Sequence, residues 1–80
     1  MNIPKTVLKQ EGQSASNTKC KCKICILEIE AGHHVGFVFG IIESGFVNPR
    51  DPFVEKTKNE VLIKCQAWAK QMIPDCVFSA

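Results

Sequence analysis

The chain carries two long β-prone runs. From Cys22 to Ile29 and again from Val35 to Ile42 it is rich in Ile, Val, Phe and Cys, and only Glu30-Ala31-Gly32-His33-His34 separates them. Branched and aromatic side chains fit a pleated surface, and two such runs joined by a short Gly-containing segment read as a β-hairpin. A two-residue turn at Gly32-His33 and a four-residue loop from Ala31 to His34 give the same register, with Glu30 opposite Val35 and Ile26 opposite Phe39. In that register one face carries Cys22, Ile24, Ile26, Val35, Phe37, Phe39 and Ile41. The other carries Cys25, Leu27, Ile29, Val38 and Ile42, together with Gly36, Gly40, Lys21 and Lys23. An antiparallel sheet with one wet face alternates apolar with polar residues, so two apolar faces predict cover on both sides.

A helix is expected after the hairpin. Asp51-Pro52 can start it, since a carboxylate caps free N–H groups and Pro loses nothing at the first helical position. Val54, Val61, Leu62, Cys65, Trp68, Ala69 and Met72 recur at helical spacing as one apolar stripe, which ends at Pro74-Asp75. Cys76-Val77-Phe78 is β-prone and can return beside the hairpin, while Phe46-Val47 can add a brief edge strand limited by Pro49. The expected fold class is α+β: a small antiparallel sheet, made of the hairpin and a short C-terminal strand, packed on one long helix in the order β-β-α-β. Trp68, Phe37 and Phe39 would share its core. Residues 1–19 read as an N-terminal segment and linker, because Gln10 to Lys19 buries too little to fold alone, and residues 20–80 read as the single domain.

Composition narrows the function classes. With 80 residues, 45% hydrophobic and 22% charged, the chain has the balance of one small globular domain, and its formal net charge of +2 is too mild to announce a nucleic-acid protein by charge alone. The run from Val35 to Ile42 falls far short of the roughly 20 apolar residues that cross a bilayer. The N-terminus lacks a secretory pattern, so a cytoplasmic location and no membrane partner are expected.

The five cysteines are the first candidates for chemistry. Cys20, Cys22 and Cys25 form CxCxxC, which with Cys76 or His33 would make a small zinc-binding domain. In a strand, however, Cys20 and Cys22 lie roughly 7 Å apart with Cys25 on the opposite side, whereas zinc at about 2.3 Å per bond needs thiolates within roughly 4 Å of one another. Buried Cys25 and Cys65 read as small hydrophobes. His33 and His34 beside Glu28 and Glu30 could supply acid–base groups, but they sit at the hairpin tip, away from Cys25. No catalytic residue, metal, cofactor or small-molecule substrate is expected.

Two resemblances bear on partners. Val35-Gly36-Phe37-Val38-Phe39-Gly40 resembles the RNA-recognition-motif signature, in which alternating aromatics on a strand expose their rings to bases. It departs from that signature at Val35, Val38 and Ile42. The resemblance implies Phe37 and Phe39 facing solvent, whereas the expected register turns them under the helix. The order of elements is also similar to the double-stranded-RNA-binding domain. Pro4 with Val7-Leu8 would then stand in the first helix, Gly32-His33-His34 in the hairpin loop, and Lys56-Thr57-Lys58 at the start of the last helix. A nucleic-acid module would use Lys19, Lys21, Lys23, Lys56 and Lys58, the first three of which alternate onto one strand face.

The other expectation centres on the face behind the phenylalanines. Gly36 and Gly40 weaken a strand unless another backbone comes close, and Leu27, Ile29, Val38 and Ile42 surround them. Either Ile3, Val7 and Leu8 fold across this patch, or it receives a protein partner or a second copy. On that reading the chain is a non-enzymatic binding protein that occupies a surface of a macromolecular partner. By size and element order it resembles small phage or mobile-element inhibitors of host defence complexes.

Overall fold

The computed structural model describes residues 3–79. In chain order the elements are β1 (Lys5–Ser14), β2 (Lys21–Glu30), β3 (His33–Ile42), β4 (Gly45–Val47), β5 (Phe53–Glu55), α1 (Lys58–Met72) and β6 (Cys76–Phe78). The strands make one six-stranded sheet in the order β4-β3-β2-β1-β6, with β5 also pairing β3, and every pairing is antiparallel. Among the described residues α1 is the one helix, and it packs on one side of the sheet, so the chain is a small α+β domain. Among the described residues no helix is long and apolar enough to cross a membrane.

The hairpin, the brief β4 and the terminal β6 form where the sequence predicts them, but three features differ. First, the polar N-terminal stretch is a ten-residue strand, and β6 pairs with it rather than with the hairpin. Its polar side chains are used rather than buried alone. Gln66 Nε2 on α1 donates to Gln10 Oε1 at 2.7 Å, and the buried Ser14 donates to Asp75 Oδ1 at 2.7 Å.

Second, the helix begins later than Asp51. Thr57 caps it, accepting from the Glu60 N–H at 3.1 Å and donating its hydroxyl to the Glu60 carboxylate at 2.9 Å. The Thr57 hydroxyl thus satisfies a first-turn N–H and ties down the Glu60 carboxylate, and a helix that starts here leaves Phe53–Glu55 to pair with β3. Val54 consequently leaves the helical stripe for the sheet, where it is 51% exposed. At the other end the Ile73 N–H bonds Ala69 O at 2.7 Å before Pro74 stops the helix.

Third, β2 and β3 pair in a different register. Cys22 stands opposite Gly40, Ile24 opposite Val38 and Ile26 opposite Gly36, whereas at the tip Glu30 pairs with His33. The turn is therefore Ala31-Gly32, with the positive φ of 77° falling on Gly32, and Ile29 is an extra residue between the pairs Glu28–His34 and Glu30–His33. A side-chain period of two makes this one-residue bulge decisive, because it moves every β3 side chain to the opposite face relative to β2. Phe37 and Phe39 consequently point away from α1, and Gly36, Val38 and Gly40 lie beneath it.

The core follows from that register. Cys22, Ile24, Ile26 and Val38 of the sheet meet Val61, Cys65, Ala69 and Ile73 of the helix and its cap, with Cys76 of β6 closing one end. Trp68 packs against this cluster from its edge. A Cβ at Gly36 would lie 2.2 Å from Val61 Cγ1 and 2.8 Å from Cys65 Sγ. The bare strand backbone at that position lets the helix dock at close range.

Candidate functional site

The sheet face opposite α1 has no element over it among the described residues, and pairing fixes its side chains in rows. Lys9, Cys25 and Phe37 form one row, and Glu11, Lys23 and Phe39 form the next. Gln13, Lys21, Ile41 and Phe46 make the third, while Thr6, Leu27, Val35 and Val54 border the first. Phe37 is 47% exposed and Phe46 65%. Phe39 stacks on Phe46 with ring centroids 5.2 Å apart. Ile41, Val54 and Val77 are exposed on the same side. Aromatic rings therefore run along β3 and β4, and lysines run beside them on β2 and β1.

Acidic residues are sparse on this face. Of the eight acidic residues, Glu11 alone stands in these rows, where it pairs with Lys23 at 3.6 Å. Both partners are exposed, so the pair contributes little and leaves the lysine available. Glu28 and Glu55 lie on the helix side, against His34 and Lys64 respectively. Glu60 serves the helix cap, Glu30 ends β2 at the hairpin tip, and Glu43 and Asp51 lie in a turn and a loop. Asp75 is held by Ser16 and Ser14, and these hydrogen bonds keep its carboxyl below the usual carboxylate range. The open face thus presents Lys9, Lys21 and Lys23 against a single carboxylate.

The residues singled out in the sequence separate onto different parts of the fold. Lys21 and Lys23 share the open face, whereas Lys19 lies in the turn before β2, and Lys56 and Lys58 lie where the chain enters α1 on the helix side. The expected glycine-floored patch is not a single surface. Gly36, Val38 and Gly40 are buried beneath α1, Ile42 is half-buried, Ile29 occupies the bulge, and Leu27 faces the open side. The close approach that its glycines announce is made by the chain's own helix. Lys9 and Phe46 belong to the open face but were missed. Lys9 lies in the short N-terminal segment whose sequence assigns no register to the sheet, and Phe46 lies in a strand too short to assign a face.

The cysteines also part company. Cys22 and Cys76 meet across β1 with their sulfurs 3.7 Å apart, over Gly12, where a Cβ would lie 2.5 and 2.6 Å from the two sulfurs. Burial and the neighbouring Cys76 thiol push the Cys22 thiol up to about 12, and burial pushes Cys65 up to about 11. Both remain neutral thiols at neutral pH. Among the described residues no group of three or more His, Cys, Asp or Glu side chains converges to hold a metal ion. His34 is buried, with Nδ1 donating to Lys56 O at 2.9 Å and Nε2 lying 3.3 Å from Glu28 Oε2. It ties β3 to the segment that leads into the helix.

Comparison of the chain with protein-family models, with curated proteins and with solved structures finds no match.

Proposed function

We propose that the chain is a non-enzymatic nucleic-acid-binding domain that works through its open sheet face. The observation that carries this reading is the make-up of that face: Phe39 stands directly across from Lys23, Phe37 and Phe46 lie in the rows on either side, which also hold Lys9 and Lys21, and seven of the eight acidic residues lie elsewhere. Rings supply surface to any base, and ammonium groups supply the phosphate contacts on which affinity for nucleic acid mostly rests. A protein interface of similar size carries aromatics too, but its centre is depleted in lysine. Here Lys23 sits in the middle of the patch, across from Phe39.

The test is retention of mixed-sequence oligonucleotides at rising salt. Three lysine–phosphate contacts should give log K against log salt a slope of about −2 to −3. Reversing charge at Lys9, Lys21 and Lys23 should abolish retention, and reversing it at Lys56 and Lys58 should leave most of it. A wild-type protein that holds no oligonucleotide at low salt overturns the reading and returns the apolar part of the face to a protein partner or a second copy.

A further inference from the structure

We infer that the nucleic acid taken by this face is single-stranded and lies along β2 and β3, with successive bases on Phe37 and Phe39 and its phosphates on the lysines beside them. This rests on the nucleic-acid reading above and adds the form and the path of the ligand. Phe37 and Phe39 are two residues apart on one strand, so their anchor points are about 6.8 Å apart at a rise of about 3.4 Å per residue. Stacked bases rise only about 3.4 Å per nucleotide. Two neighbouring bases seated on these rings are therefore pulled to twice their stacking distance. A duplex resists that opening, whereas a single strand splays freely.

The surface relief agrees with two adjoining seats. One hollow of about 380 Å³ runs beside Phe39 and Ile41 and is flanked by Lys21. A second, of about 520 Å³, runs beside Phe37 and Phe39 and is flanked by Lys9. The two share Lys23, Glu11, Phe39 and Ser79, so Lys23 stands at the boundary, where the phosphate joining the two nucleotides would fall. The lysines of β2 stand one strand over from the rings, about 4.8 Å away, which sets a phosphate track parallel to a base track. Phe46, stacked on Phe39, broadens the base track toward the sheet edge.

The experiment measures fluorescence anisotropy of a labelled ten-nucleotide single strand and of the same strand annealed to its complement, with wild type, Phe37→Leu and Phe39→Leu. Both rings lie outside the core, so the variants should melt as wild type does. The expected result is that wild type prefers the single strand and that each leucine variant binds it roughly 5- to 150-fold more weakly, the range for truncating one stacking ring. Equal or tighter binding of the duplex, or leucine variants within twofold of wild type, overturns this inference while the nucleic-acid reading survives. Failure of wild type to bind either form overturns both.

Discussion

A single glycine shows how the helix chose its side of the sheet. Gly36 was legible as a position needing close approach, and it is one, but the approaching group is Val61 of α1 rather than a partner molecule. Gly36→Ala forces its methyl into Val61 and Cys65, both fully buried and unable to yield freely. The expected loss is about 1–3 kcal/mol, the usual cost of overpacking a core. Gly40→Ala is the control. Its Cβ would meet nothing nearer than 3.5 Å and its φ is not positive, so stability should stay within about 0.5 kcal/mol of wild type or rise slightly. Urea unfolding of the two variants checks the pair. Equal losses would mean that α1 does not rest on β3 at Gly36. The residue-scale reading names Lys19, Lys21, Lys23, Lys56 and Lys58 as nucleic-acid candidates and places Phe37 and Phe39 in the core under the helix, so the expected register sets the rings on the opposite face from Lys21 and Lys23.

At the scale of elements, what was legible had local punctuation and what was missed did not. The hairpin is bounded by a Gly-containing turn, the helix ends at Pro74, and β6 follows it directly. The bulge at Ile29 has no such mark: it sits between Glu28 and Glu30 with no Gly or Pro beside it, and because both faces of the hairpin are apolar, pattern leaves register undetermined. The start of α1 was misplaced because Asp51-Pro52 competes as a helix start with Thr57 and Glu60, three residues apart. The turn after the helix is fastened by Asp75, whose carboxylate accepts from the Ser14 and Ser16 hydroxyls and from the Ser16 N–H, joining the β1–β2 turn to the start of β6. These bonds lower its folded pKa below the ordinary 3.8, Ser16 contributing most and Ser14 next. A lowered acid stabilises the fold above its unfolded pKa and stops doing so as pH falls through the folded value. Asp75→Asn should therefore be less stable than wild type at neutral pH, with the difference narrowing below about pH 4. Thermal melts from pH 7 to pH 2 measure this, and a gap that holds constant across the range would rule out the carboxylate as its source.

At the scale of the whole molecule, the largest departure from expectation is that the N-terminal stretch lies inside the sheet. Composition predicts a linker from Gln10 to Lys19, since those residues offer little apolar area, yet Lys5–Ser14 runs between β2 and β6 with hydrogen-bonded neighbours on both sides. Backbone pairing, a half-buried Val7 and Leu8 against the core, and polar ties through Gln10 and Ser14 hold the strand without a hydrophobic sequence. It also contributes Lys9 and Glu11 to the open face, so the candidate site depends on it. Removing residues 1–19 would strip β6 of its partner, expose the whole edge of β2, and leave Cys22 and Cys76 without the strand that lies between them. A bare ten-residue edge with an apolar run is a template for pairing with other chains. The 20–80 fragment is therefore expected to lose cooperative melting and to aggregate at concentrations where the full chain is monodisperse. Circular dichroism melts with light scattering on the two proteins test this, and a fragment that melts cooperatively near the full chain's midpoint would show that β1 is dispensable to the sheet it divides.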